Sequence, residues 1–212
     1  MAAFDLEEQE QIAALKGWWQ EYGKLVVLGV TVVALAVAAY FGWRAWTDRQ
    51  AAAGAELYLQ LDQAARASDA RKVRDLATAL QKDYGRTAYA AMAGLMAAKA
   101  AFDTGERASA KTQLEWVVER AKSPEMRDVA RLRLAGVLLD EQDTAGALKL
   151  LEAKVSDAMT PLYADLKGDV FAAQGNRAEA RAQYQLALDK SDAKSPQRQV
   201  VQIKLDALGS AP

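Results

Sequence analysis

The stretch ADLKGDVFAAQGNRAEARAQYQLAL, residues 164–188, decides the fold of most of this chain. Two segments rich in the strong helix formers alanine, leucine, glutamine, arginine and glutamate flank the short polar break at residues 174–176. Small residues such as Gly168 and Ala180 would let two helices cross at short distance. The stretch therefore predicts a hairpin of two antiparallel helices joined by a tight turn.

The same kind of break recurs at regular intervals. Each turn has a residue that is followed, five positions later, by a small or apolar one: the pairs are Ser68/Val73, Gly105/Ala110, Gln142/Ala147 and Gly175/Ala180. The turn residues are 37, 37 and 33 positions apart. A period near 34 with one hairpin per unit resembles the tetratricopeptide repeat. The alternative is an alanine-rich helical bundle in which this spacing is coincidental.

Serine or threonine followed by proline predicts further helix starts, because the hydroxyl can cap a helix whose first position is proline. This pattern occurs at Ser123, Thr160 and Ser195. A final helix over roughly 196–208 is expected to cap the open end of the stack, and the tail 209–212 is expected to be disordered. The first repeat matches the repeat pattern less well than the others, as expected of a terminal repeat.

An apolar run, LVVLGVTVVALAVAAYFGW at residues 25–43, contains no charged residue. As a helix it would be about 28 Å long, close to the roughly 30 Å hydrocarbon core of a bilayer. Tryptophan and tyrosine rings precede and follow it, as expected at membrane interfaces. The sequence thus predicts three segments: an acidic arm over 1–24, a transmembrane helix over 25–43 and an all-α soluble domain over 44–209.

Two other interpretations of the apolar run are weaker. A cleavable signal peptide normally has a short basic start, whereas here 24 residues with five acids and two bases precede the run. A buried core helix would need an enclosing apolar domain, and no other segment of the chain is apolar enough to provide one.

Composition excludes several classes of function. The 27 basic and 28 acidic residues give a net charge of −1, and neither the arm nor the domain is a basic patch, so nucleic acid is not an expected partner. The chain has no cysteine and no histidine, which removes the commonest metal ligands and acid–base catalysts. We find no phosphate-binding loop or nucleophile elbow. We therefore predict no enzymatic activity, cofactor or metal.

A stack of such hairpins offers a concave surface, lined mainly by the first helix of each hairpin. The repeat spacing predicts a partner groove lined by residues from three of these helices: Met92, Leu95, Lys99 and Phe102, then Val129, Leu132, Gly136 and Leu139, then Leu162, Asp165 and Asp169. This mostly apolar lining suits helices or unfolded segments. Asp165 and Asp169 are expected to be exposed or paired with Lys167 and Arg177.

The apolar run also carries a candidate packing face. Ala34, Ala38 and Gly42 recur every four positions and would let another membrane helix approach closely. In so alanine-rich a chain such a stripe can also arise by chance.

Juxtamembrane segments carry a more specific resemblance. The acidic start at residues 7–10, LKGWWQEYGK at 15–24 and FGWRAW at 41–46 resemble the YfgM-type family of ancillary subunits of the bacterial SecYEG translocon. The resemblance implies a cytoplasmic arm, one span of the cell inner membrane and a periplasmic tetratricopeptide-like domain. Two positive charges lie within about 20 residues on each side of the span, so the positive-inside rule does not decide the orientation and this topology rests on the resemblance.

The resemblance further implies association with SecYEG and with a PpiD-type periplasmic chaperone. The expected function is to help exported chains reach periplasmic chaperones through protein–protein contacts of the repeat domain. One alternative is a membrane-anchored scaffold for envelope assembly or division that handles no client. Another is a regulator tethered to the membrane with its domain in the cytoplasm.

Overall fold

A computed structural model describes residues 2–209, with side chains from Glu8 onward. Over that range the chain is helical and contains no strand. The helices are α1 (Ala2–Arg66), α2 (Ala70–Asp83), α3 (Ala88–Asp103), α4 (Arg107–Arg120), α5 (Pro124–Asp140), α6 (Thr144–Leu151), α7 (Thr160–Ala173), α8 (Arg177–Lys190) and α9 (Gln197–Ala207). The chain divides into two units, Met1–Gln50 and Ala51–Pro212. Residues 210–212, most of the tail expected to be disordered, lie outside the described residues.

The first unit consists of the N-terminal part of α1. Its most apolar window has a mean hydropathy of 2.4, and none of that window is buried. Aromatic pairs lie before and after the apolar run, Trp18 with Tyr22 at 6.0 Å and Trp43 with Trp46 at 5.2 Å between ring centroids. The helix is therefore long and apolar enough to cross a membrane, and no protein core encloses it. Because α1 continues unbroken past both ends of 25–43, the limits of the membrane-crossing part stay a prediction.

The second unit is a series of antiparallel hairpins. Leu61 and Ala64 at the end of α1 share a buried cluster with Val73 and Ala77 of α2. Helices α3 and α4, α5 and α6, and α7 and α8 form the following hairpins. This arrangement confirms the all-α fold class with tetratricopeptide-like repeats.

The four hairpin turns share one backbone geometry. Each turn residue identified from the sequence has a positive φ: Ser68 at 57°, Gly105 at 80°, Gln142 at 66° and Gly175 at 77°. In each turn two amide N–H groups donate back to the preceding helix; at Gly175 these are Gly175 N to Ala172 O and Asn176 N to Phe171 O. This is the Schellman pattern, which satisfies carbonyls at a helix end.

The small residues of the periodic pattern are buried where the helices cross. Val73, Ala110, Ala147 and Ala180 all have no exposed surface. Gly168 faces the ring of Tyr184, and a Cβ at this position would lie 2.4 Å from Tyr184 Cε1. The close crossing of α7 and α8 therefore requires glycine here.

Helix starts agree with the sequence in part. Ser123 caps α5 by accepting from Met126 N at 3.2 Å, as predicted. At the other two Ser/Thr-Pro sites the prediction was wrong by one residue: α7 begins at Thr160 itself, and Pro196 is the residue before α9. The break at residues 84–87 was not predicted. The final interval is shorter because α6 has 8 residues against 14 for α4 and α7 has 14 against 17 for α5, which the longer loop at residues 152–159 only partly offsets.

The final helix packs on the last hairpin. Val201 and Leu205 are buried in one cluster with Ala187 and Leu188 of α8. Arg198 donates to the carbonyl oxygens of Leu188 and Ser191, which satisfies acceptors at the end of α8. The expected cap is therefore present as α9.

Candidate partner-binding groove

A groove of about 510 Å³ lies between the first helices of the second, third and fourth hairpins. Its walls come from α3, α5 and α7, and its base also includes Ala110 and Leu114 of α4. Of the eleven residues predicted to line a partner groove, it brings together Lys99, Phe102, Gly136, Leu139 and Asp169. The groove is formed entirely within the second unit.

The other six predicted residues lie elsewhere. Leu95 and Leu132 are partly buried against two separate core clusters. Leu162 lines a different cavity of about 370 Å³, beside α9. Met92 and Val129 are partly exposed and line neither cavity, and Asp165 is buried.

Sequence reasoning missed several residues that line the groove: Asp103, Arg133, Asp140 and Leu166. Arg133 and Leu166 directly follow Leu132 and Asp165, which were predicted in their place. At positions 132 and 165 the side chain turns toward neighbouring helices and the next residue faces the groove. At the equivalent position 95 the side chain is also turned away, but Met96 packs against a separate core cluster. A wider helical face, including the following residue in each repeat, would have found them.

Asp165 and Asp169 are held by a distant lysine. Lys204 Nζ lies 2.8 Å from Asp165 Oδ1 and 2.8 Å from Asp169 Oδ2, and Tyr184 donates its hydroxyl to Asp169 Oδ1 at 2.8 Å. The expected pairing with Lys167 and Arg177 is wrong, because Lys204 of α9 reaches both carboxylates. These carboxylates are therefore structural partners of α9.

The pKa values around this cluster reflect its burial and its ion pairs. Burial alone would lower the pKa of Lys204, but the hydrogen bonds that it donates to both carboxylates, and their negative charges, outweigh burial, so the pKa is raised. Burial, and next the carboxylate of Asp169, raise the pKa of the Tyr184 hydroxyl. Both shifts favour the charged lysine and the protonated tyrosine, the forms that make these hydrogen bonds.

The wall of the groove that α3 forms carries an aromatic ring and an ion pair. Phe102 is 41% exposed, and Arg107 lies over its ring at 6.0 Å. Lys99 Nζ pairs with Asp103 Oδ2 at 2.6 Å, within α3. A partner that covered this ring would remove apolar surface from water.

Gly136 of α5 also lines the groove, and an added Cβ there would meet nothing within 4 Å. Gly94 is different, because its Cβ would lie 2.6 Å from Val117 Cγ2. Packing within the chain therefore requires glycine at Gly94 and not at Gly136.

The packing face predicted for the apolar run lies wholly exposed in the first unit. Ala34, Ala38 and Gly42 are all exposed, and a Cβ on Gly42 would have open space around it. The hydroxyl of Thr31 donates to Val27 O within the same helix at 2.8 Å, so it needs no outside partner.

Carboxylates near the third turn have structural roles. Asp143 accepts from Gly146 N at 2.9 Å and caps α6, while Glu141 pairs with Lys111 at 2.8 Å. Among the described residues, no group of three or more potential ligands could hold a metal ion.

Comparisons with known proteins agree with this architecture. Residues 16–210 match the model of the tetratricopeptide repeat-like domain family. The protein named ancillary SecYEG translocon subunit in Neisseria gonorrhoeae is 32% identical, with 97% of this chain and 99% of the relative covered. Proteins of the same name from Haemophilus influenzae and Escherichia coli are 26% and 27% identical, covering 97% and 95% of this chain and 100% and 96% of their own. No solved structure gives a significant match. By this match along nearly its whole length, the chain belongs to the tetratricopeptide repeat-like family of ancillary SecYEG translocon subunits.

Proposed function

We propose that this protein is an ancillary subunit of a SecYEG translocon in a bacterial inner membrane. Relatives that carry this name match it from end to end, and α1 supplies one helix able to cross the bilayer. In the proposed topology the arm 1–24 is cytoplasmic, residues 25–43 cross the membrane and the repeat domain 44–209 is periplasmic.

The repeat domain acts, in this proposal, by binding other polypeptides and catalyses no reaction. It helps newly exported chains reach periplasmic chaperones, including one of the PpiD type. The observation that supports this most directly is the groove, where the partly exposed ring of Phe102 lies beside the open space over Gly136. Apolar surface of this kind is covered when a partner binds.

The membrane segment takes part in the same assembly. Ala34, Ala38 and Gly42 present a surface without large side chains, against which a helix of a translocon or chaperone subunit can lie closely.

Site-specific photo-crosslinking in cells tests the groove. A photoreactive phenylalanine analogue replaces Phe102 or Leu139 in the groove or, as a matched control, the exposed Leu186 on α8. We expect translocon subunits, chaperones or exported chains to be captured from the two groove positions and not from Leu186. Recovery of cell-wall or division proteins alone would contradict the proposal and favour the scaffold alternative.

A single cysteine tests the topology, since the natural chain has none. Ala193→Cys lies on an exposed loop between α8 and α9. We expect labelling by a membrane-impermeant maleimide in intact spheroplasts. Labelling only after lysis would place the domain in the cytoplasm.

A further inference from the structure

Packing within the chain does not explain why position 136 is a glycine. It lies in the interior of α5, where glycine costs about 1 kcal/mol of helix stability relative to alanine. Its missing side chain leaves open space, and no described neighbour needs that space. Its effect is to leave room in the groove between Phe102, Leu139 and Leu166. This room fits a bulky apolar side chain from outside.

Charges of opposite sign lie on either side of Gly136. Arg133 and Asp140 both line the groove and are seven positions apart on α5, so they share one helix face about 10.5 Å apart along its axis. Arg133 makes only a long contact, 3.5 Å, to the backbone oxygen of Leu95. Among the described residues, neither Arg133 nor Asp140 has an ion-pair partner. Both are thus available to a ligand.

The spacing of the two charges suits an extended ligand. In an extended strand, residues i, i+2 and i+4 point to the same side and span about 13 Å, which Arg133 and Asp140 can reach with their side chains.

We propose that the groove over Gly136 binds an extended polypeptide segment in which a bulky apolar residue lies between an acidic and a basic residue, each two positions away. The apolar side chain fills the space over Gly136, the acid pairs with Arg133 and the base pairs with Asp140. This inference rests on the proposed function and adds to it a preferred sequence. The groove then selects defined segments and does not bind unfolded chains in general.

Peptide binding to the full-length chain in lipid nanodiscs tests the preference, with empty nanodiscs as the blank. Three capped, fluorescent peptides are compared by anisotropy: Glu-Ala-Phe-Ala-Lys, Glu-Ala-Phe-Ala-Glu and Lys-Ala-Phe-Ala-Lys. We expect the first to bind about fivefold more tightly than the other two, since each of these loses one ion pair. Replacing its phenylalanine by alanine should weaken binding at least about tenfold.

Protein variants identify the contacts. With Arg133→Glu the peptide with two lysines should bind best, and with Asp140→Lys the peptide with two glutamates should bind best. Gly136→Leu should weaken binding of all three, whereas Ala178→Leu, on the exposed surface of α8, should not. Circular dichroism checks that each variant keeps its helix content.

Equal binding of the three peptides, or no saturable binding at millimolar concentration, would overturn the inference. So would unchanged binding by Gly136→Leu. If the peptides fail while Phe102 still captures partners in cells, the proposed function stands and only the sequence preference is wrong. If the peptides bind selectively while Phe102 captures nothing, the preference stands and the proposed function is wrong.

Discussion

Gly168 and Gly136 both lie in the first helix of a hairpin, and their surroundings are opposite. At Gly168 a Cβ would collide with the Tyr184 ring at 2.4 Å, whereas at Gly136 it would meet nothing within 4 Å. Gly168 allows α7 and α8 to pack closely, and its surroundings are filled by the chain itself. Gly136 lines the groove, where space next to it is left open. The comparison separates residues that make the fold from residues that leave a surface free.

The largest change in stability is expected at Gly168, where α7 packs on α8. Gly168→Ala should lower the free energy of unfolding by about 2–3 kcal/mol, because overpacking forces the Tyr184 ring to move while Asp169 holds its hydroxyl. Urea unfolding followed by circular dichroism measures the change. Combining Gly168→Ala with Tyr184→Leu should cost less than the sum of the two single changes. Strict additivity would show that the ring is not the obstacle.

Removing the lysine that joins α9 to α7 should have the next largest effect. Lys204→Met leaves the buried Asp165 without its cation and should cost about 2 kcal/mol, below the usual range for a buried pair since the ammonium keeps some exposure. The same unfolding experiment measures it. Adding Asp165→Asn and Asp169→Asn should restore part of the stability. If the triple variant is no more stable than Lys204→Met, the carboxylate charges are not the cause.

A pH-dependent change in stability is expected from the contact between α5 and α7. Tyr163 donates its hydroxyl to Asp128 O at 2.9 Å, and burial, followed by the nearby Asp128 carboxylate, raises its pKa to about 12. Its pKa is about 10 in an unfolded chain, so the stabilisation is complete below pH 10 and is lost as the pH rises toward 12. We expect the wild-type protein to lose up to about 2 kcal/mol more than Tyr163→Phe over that interval. Parallel curves for the two proteins would contradict this assignment.

The smallest effect, of opposite sign, is expected in the groove. Gly136→Ala should raise the free energy of unfolding by about 0.5–1 kcal/mol, because alanine favours the helix and its methyl group has room. Thermal unfolding measures it, and Gly94→Ala, which would meet Val117, is the matched control. Destabilisation by Gly136→Ala would mean that the glycine serves the fold after all.

Much of the repeat fold was predictable because it depends on local signals. The positive φ at Ser68 and Gln142 follows from their place in the periodic pattern, although neither is glycine. The break at residues 84–87 escaped prediction because it lies between hairpins, where the repeat pattern does not constrain the sequence. Helix starts at Thr160 and Pro196 shifted by one residue, a displacement that capping patterns cannot resolve.

The groove was less predictable, because its lining depends on how successive hairpins rotate against each other. A rotation of one residue places Arg133 and Leu166 in the groove and turns Leu132 and Asp165 away from it. The partner of Asp165 and Asp169 also lay outside the reach of local patterns, since Lys204 is 39 and 35 positions away. Contacts between distant segments are set by packing of the whole stack.

The shared turn geometry has a consequence for how such an array can change length. Gly105 and Gln142 end equivalent helices with the same two backbone hydrogen bonds, and each is followed five positions later by a buried alanine. Removing residues 106–142 would therefore join two chain ends with matching geometry. The deletion would take out the length of one hairpin, and the turn at the junction would keep its backbone conformation. The array can gain or lose whole hairpins, and with each the groove would gain or lose one wall.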